Sequence, residues 1–253
     1  MKRLLIAGIA ALCLSTAAHA HFQEILPSTD TFGSDSGTLS LDLIFTHPMD
    51  RGPTMDMKKP TRFGVLTDKG EEGLLGTLKE APHDGKSAWQ ASYIPAEPGA
   101  YTFFVEPQPY WEPAEDKSII HYAKVVVDAF DWGSDWDRMV GLPVEIEPLT
   151  RPYGLWTGNV FSGIVRANGE PVPFAEIEVE WVNDGSLTPP GDAFVTQVIK
   201  ADERGVFTYA MPRAGWWGFA ALVEADYKLP DPSGAEKPVE LGGLIWVKPV
   251  DMK

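Results

Sequence analysis

The chain has 253 residues, 44% of them hydrophobic and 11% aromatic, which is long and apolar enough for a buried core and excludes a disordered chain. Nine Trp, 24 Gly and 22 Pro point to many turns rather than a helical bundle. A formal charge of −15 argues against a nucleic-acid partner, since phosphate binding needs a basic face.

Residues 1–20 read as an export signal. Met1-Lys2-Arg3 is a positive start, Leu4 to Leu14 is an almost unbroken apolar run, and Ala18-His19-Ala20 fits small-x-small cleavage. The run is too short to span a bilayer, and no later stretch approaches ~18 apolar residues, so neither a second anchor nor direct membrane insertion is expected. Cleavage after Ala20 sends the remaining chain to a periplasm-like compartment. Lys2 and Arg3 leave with the signal, taking the charge from −15 to −17. Cys13 leaves too, and with it any disulfide, thiolate metal site or Cys nucleophile. His21 becomes the first residue.

Beyond residue 20 the elements are strands. Leu39, Leu41, Leu43 and Phe45 alternate with Ser40, Asp42 and Ile44, a period-two strand with one apolar face. Trp89–Ile94 and Tyr101–Val105 flank the turn Glu97-Pro98-Gly99, and Ile119–Val127 is β-branched and aromatic. Asp131 to Asp137 breaks the pattern, and Pro143, Pro148 and Pro152 punctuate a linker-like stretch. Val160–Ala167 leads into the hairpin turn Asn168-Gly169. Ala175, Ile177, Val179 and Trp181 alternate with Glu176, Glu178 and Glu180, predicting one packed and one wet face. Asp192–Lys200, Val206–Met211, Trp216–Glu224 and Leu244–Val250 complete the set. Short strands with turns every ~8–12 residues predict an all-β fold of two Ig-like β-sandwiches: an N-terminal metal-binding sandwich over 21–130, a linker over 131–155, and a C-terminal sandwich over 156–253.

Four histidines remain beyond the signal: His21, His47, His83 and His121. A terminal His21 offers its α-amine and its own Nδ1 to one ion, closing a chelate ring. The plain alternative is a frayed, solvated terminus. His47 sits at the end of the Leu39–Phe45 strand, where sandwich loops present functional groups. It reads equally as a half-exposed loop residue. His121 shares a strand face with Ile119 and Ala123, and there a satisfied core histidine is the ordinary explanation. His83, in Pro82-His83-Asp84-Gly85-Lys86, reads as surface. One amine and three imidazoles supply four nitrogens, which suits square-planar or tetragonal Ni²⁺ or Cu²⁺. Met49, Met55 and Met57 keep a copper reading open, or simply fill contacts in a loop. Glu112, Glu115 and Asp116, set among prolines and a lysine, read as a solvated acidic loop. Trp216-Trp217 resembles a carbohydrate platform, but packing explains it better.

His21-Phe22-Gln23, Thr46-His47-Pro48-Met49, Pro109–Glu115 with Ile120-His121-Tyr122, and Gly169–Glu176 carry a resemblance. Together they resemble the exported proteins known as the periplasmic component of cobalt/nickel ABC-type transport systems. That family was long catalogued as a domain of unknown function and includes nickel-uptake accessory proteins of energy-coupling-factor transporters. The resemblance runs over essentially the whole chain after residue 20. It implies a soluble periplasmic protein, not an enzyme, that captures Ni²⁺ or Co²⁺ and works beside a membrane-embedded nickel/cobalt permease. It implies metal binding at His21, His47 and His121. The Gly-x-Pro-x-Pro pattern at 169–173 also resembles carboxypeptidase-regulatory-like sandwiches. Two rival readings remain on the residues themselves: a periplasmic copper carrier, and a copper enzyme with a histidine brace.

Overall fold

The protein is described here by a computed structural model covering residues 21–253. The export signal expected over 1–20 lies outside those residues. In chain order the first half forms β1 (Phe22–Pro27), β2 (Thr31–Phe32), β3 (Leu39–Thr46), β4 (Arg62–Thr67), β5 (Gly70–Gly73), β6 (Lys79–Glu80), β7 (Trp89–Tyr93), β8 (Gly99–Glu106), β9 (Tyr110–Glu112) and β10 (Lys117–Ala129). The second forms β11 (Val144–Pro148), β12 (Leu155–Trp156), β13 (Val160–Ala167), β14 (Glu170–Pro171), β15 (Glu176–Trp181), β16 (Gln197–Lys200), β17 (Val206–Ala210), β18 (Trp217–Glu224), β19 (Leu229–Pro230), β20 (Glu236–Lys237), β21 (Val239–Val247) and β22 (Pro249–Val250). Helix is limited to two single turns, Leu75–Thr77 and Asp192–Phe194, among the described residues.

The fold is all-β, two Ig-like sandwiches that share one sheet. That sheet runs β16-β15-β18-β21-β10-β8-β4-β5, with β2 and β9 also paired to β10. A four-stranded sheet, β1-β3-β7-β6, covers one part of it, and a second sheet, β11-β13-β14 with β17 on β13, covers another. Side chains alternate between the faces of a strand. On β21, Leu244 and Trp246 enter the first core while Ile245 and Val247 enter the second. On β18, Ala220 enters the first and Phe219 and Ala221 the second. The two covering sheets therefore pack on opposite faces of the shared one.

The junction is the parallel pairing of β10 with β21, in register from Ser118↔Val239 to Val125↔Trp246. The boundary expected at 131–155 is corrected in one respect: that stretch is not all linker. β11 lies inside it, paired antiparallel to β13 from Val144↔Ala167 to Pro148↔Gly163. Val144 and Ile146 are fully buried, and Glu145 forms a buried 2.6 Å ion pair with Lys124 of β10. The other oxygen of Glu145 accepts the Gly141 and Leu142 amides. Prolines at 143 and 148 bracket the strand without interrupting it, because Pro is tolerated at strand ends.

The wet face expected on β15 is also corrected. Glu176 is exposed, but Glu178 and Glu180 are buried. Their face looks toward the first sandwich, where the segment after β3 covers it: Glu180 accepts the Met49 amide at 3.0 Å and the Thr196 hydroxyl at 2.5 Å. Glu24 of β1 is buried in the field of Asp42 and Glu180. Burial first, then these neighbouring carboxylates, pushes Glu24 up to about 8. Glu178 rises to about 8 and Glu180 to about 7, again with burial as the leading cause.

Two outcomes follow from this architecture. A fragment ending at residue 155 lacks β21 and leaves an edge of β10 open, so it should show no cooperative thermal transition and should aggregate; a sharp transition for that fragment would mean the N-terminal half folds alone. For Glu24, a carboxylate raised by folding contributes stability that is present below its unfolded value of 4.5 and lost as pH rises through about 8. Between pH 5 and pH 9 the melting temperature of Glu24→Gln should therefore fall less than that of the parent, by differential scanning fluorimetry. Parallel curves would contradict the assignment.

Candidate metal centre

The site forms where three inward faces meet. β1 adds to the edge of β3 with Gln23 opposite Phe45 and Ile25 opposite Leu43. One residue beyond the last pair, Phe22↔Thr46, stand His21 and His47. Both continue the face that carries Ile25, Leu41, Leu43 and Phe45 into the core. Opposite them, His121 lies between Ile119 and Ala123 on the core face of β10. All three histidines are buried, at 8%, 6% and 2% exposure. The His21 and His47 rings approach to 4.5 Å between centroids. His47 is therefore buried rather than half-exposed, and His21 is enclosed with it.

β1 is pinned on several sides. The indole of Trp246 donates to the Gln23 carbonyl at 2.9 Å, and the Gln23 amide donates to the Ile44 carbonyl. Phe22 packs on Trp246 and meets the bare face of Gly218. The segment carrying His47 is held from the second sandwich. Asn183 donates its side-chain amide to the Met49 carbonyl at 3.0 Å, Glu180 accepts the Met49 amide, and Met49 enters the second core. The C-terminal half thus helps to build the site.

The nitrogen partners are specific. His21 Nε2 lies 3.0 Å from Glu112 Oε2, and Glu112 Oε1 accepts the Ala114 amide. Burial, followed by the nearby His47 and His121, lowers His21 to about 3, so its ring is neutral at physiological pH. A neutral ring that donates from Nε2 to Glu112 keeps its lone pair on Nδ1, the ring nitrogen nearer its own backbone. A carboxylate on the outer nitrogen of a ligating imidazole is the usual orienting partner in metal sites. His121 is engaged at both ends: Nδ1 sits 2.6 Å from the His21 carbonyl oxygen and Nε2 3.2 Å from Glu240 Oε1. Although burial pushes Glu240 up, hydrogen bonds and charge from His121 and Lys117 draw it down to about 2. The rings of Phe45 and Tyr110 flank His21 at 5.5 and 5.9 Å. A cleft of about 250 Å³, walled in part by Tyr110, Trp111 and Met57, reaches Phe45 and His121.

His83 is apart from this cluster, in an exposed turn with its ring 3.5 Å from Asp84. Met55 and Met57 fill the first core. Trp217 is buried, and Trp216 packs against the first core with the Lys248 ammonium over its ring. The acidic loop expected around Glu112 is corrected for Glu112 itself, which is buried on His21. Its place in the strand-forming run Tyr110-Trp111-Glu112 was the available signal. Glu240 had no such signal, because only the β10–β21 pairing brings it to His121. Among the described residues no three His, Cys, Asp or Glu side chains are grouped so as to hold a common metal ion. This agrees with the engagement of Nε2 of His21 and both nitrogens of His121 by other groups.

The family described as Domain of unknown function (DUF4198) matches residues 18–225. The chain belongs to that family. No curated protein matches it. Among solved structures it is similar to part of a 1.5-MDa bacterial ice-binding adhesin, at 7% identity over 92% of this chain and 67% of that one, with a TM-score of 0.26. It is similar to the D00-D0 domain of Intimin at 11% identity over 91% and 100%, TM-score 0.21. It is also similar to a carbohydrate-binding-type protein from Bacteroides uniformis at 10% identity over 87% and 99%, TM-score 0.24. Nothing further follows from likenesses at these scores.

Gly242 of β21 tests the packing of the site. A Cβ there would lie 2.4 Å from His121 Cδ2. Gly242→Ala should therefore cost about 1–3 kcal/mol in thermal or denaturant unfolding, in line with overpacking of a tight core. An unchanged midpoint would show that the ring has room to move.

Proposed function

We propose that the protein, once its chain begins at His21, is a periplasmic transition-metal-binding protein that captures Ni²⁺ or Co²⁺ for an energy-coupling-factor-type uptake permease, by binding and release without catalysis. The observation that carries this reading is the buried His21–His47 pair, with Glu112 on the outer nitrogen of His21 and Nδ1 left for a chelate with the α-amine. The α-amine and Nδ1 of His21 and the ring of His47 supply three nitrogens, a donor set that suits Ni²⁺, Co²⁺ or Cu²⁺ over Mg²⁺ or Ca²⁺. His121, expected as a further ligand, serves only by giving up Glu240 or the His21 carbonyl. The amine must shed a proton to bind the ion, and its ordinary value is ~7.7–8.0, so binding weakens as pH falls.

A copper reading is favoured by one observation of its own. Two histidines with an amine, flanked by Phe45 and Tyr110, have the ingredients of a histidine brace. The burial of both histidines supports capture over action on a bulky substrate. Cu²⁺ outcompetes Ni²⁺ in most nitrogen sites, so competition in vitro does not choose between them. The deciding measurement is metal analysis of protein purified from its native periplasm, with an N-terminus at His21 verified by mass spectrometry. Nickel or cobalt near one equivalent is expected. Copper with oxygen-dependent peroxide production points to the brace enzyme, and absence of any transition metal contradicts metal binding. Calorimetry with Ni²⁺ should show that a Met placed before His21, or His47→Ala, weakens binding by more than the ~10-fold that loss of a supporting partner alone typically costs.

A further inference from the structure

We propose that His121 is a positioning residue, a latch that fixes the first residue of the chain through the His21 carbonyl, braced from behind by Glu240 and Lys117. This rests on the metal reading above for its purpose, but the latch itself is a property of the metal-free protein.

The geometry is a chain of contacts. His121 Nδ1 meets the His21 carbonyl oxygen at 2.6 Å, His121 Nε2 meets Glu240 Oε1 at 3.2 Å, and Glu240 Oε2 accepts from Lys117 Nζ at 2.5 Å. Lys117 is held in turn by Glu115 at 2.6 Å. A carbonyl oxygen only accepts, so Nδ1 is the donor in the 2.6 Å contact with His21, and Nε2 is turned toward Glu240. The ring has no freedom to turn away. It lies against the Cα of Gly242 in the neighbouring parallel strand, a surface from which any side chain is excluded.

The need for such a device follows from the place of His21 in the fold. The β1–β3 ladder stops at Phe22↔Thr46, so His21 lies beyond its last pair. A terminal residue without a backbone partner frays. The bond from His121 fixes the His21 carbonyl, and with it the direction in which the amine and ring emerge. Glu112 then sets the ring from its far side. The role is that of an outer-shell group, whose loss typically weakens a metal site 10–100-fold.

The test uses protein beginning at His21 with two variants. His121→Ala removes the latch. His121→Asn places an amide donor near the position of Nδ1 but supplies no ring nitrogen. By calorimetry with Ni²⁺, His121→Ala should bind about 10–100-fold more weakly, and His121→Asn should recover to within about threefold of the parent. With Cu²⁺ as probe, the electron paramagnetic resonance nitrogen couplings of His121→Asn should match the parent. Without metal, an aminopeptidase should release His21 quickly from His121→Ala and slowly from the parent and His121→Asn. If His121→Asn binds as weakly as His121→Ala and loses a nitrogen coupling, His121 is a ligand and the proposal is overturned. Equal release of His21 from parent and His121→Ala also overturns it. Should the parent bind no Ni²⁺, the metal reading fails, while the release rates still decide the latch.

Discussion

The register of β1 on β3 governs everything else at this site. With Gln23 opposite Phe45 and Ile25 opposite Leu43, the inward face of both strands is fixed, and one step further along lie His21 and His47. A slip of one residue would turn both rings to the opposite face, since side chains alternate with period two. The register is held by apolar burial at Ile25 and Leu43, by the Trp246 indole on the Gln23 carbonyl, and by Phe22 against Gly218 and Trp246. These anchors reach from strands more than 190 residues away in the chain. Folding thus delivers residue 21 to a closed, desolvated position beyond the end of its strand.

The shared sheet makes the two sandwiches one object. β21 pairs with β10 in parallel, which brings Glu240 and Gly242 to His121 from the far end of the sequence. β15 and the segment after it supply Glu180 and Asn183, which hold the backbone beside His47 at Met49. The second half therefore has a role in the first half's chemistry. It sets the second contact of His121 and steadies the loop of His47. Buried Glu24, Glu178 and Glu180 sit at this junction, each raised well above the ordinary carboxylate range by burial first. At neutral pH they carry less charge than the sequence count implies, which lowers the cost of packing the two halves together.

Much of this was legible in the residues, for a local reason. The alternation Leu39-Leu41-Leu43-Phe45 and the placement of His121 with Ile119 and Ala123 each depend on the pleat of a single strand, and both faces point where the pattern says. What failed depended on distant partners. Glu180 looks like part of a solvent face because the segment beyond His47 that covers it, at Met49, lies more than 120 residues earlier in the chain. β11 looks like a linker because its flanking prolines are turn signals, while its strand character comes from pairing with β13. Glu112 looks like a solvated acid because its partner, His21, lies 91 positions away. Glu240 gave no sign at all. Parallel pairing joins residues that no local pattern connects.

The central claim is that a chain beginning at His21 clasps one transition-metal ion between that residue and His47. Anomalous X-ray scattering at the nickel edge, from crystals of the processed protein grown with Ni²⁺, tests it most directly. The account predicts a single strong peak about 2 Å from the α-amine and Nδ1 of His21 and from the His47 ring, with Glu112 still on His21 Nε2. A peak elsewhere, or none at full Ni²⁺ saturation, would contradict it.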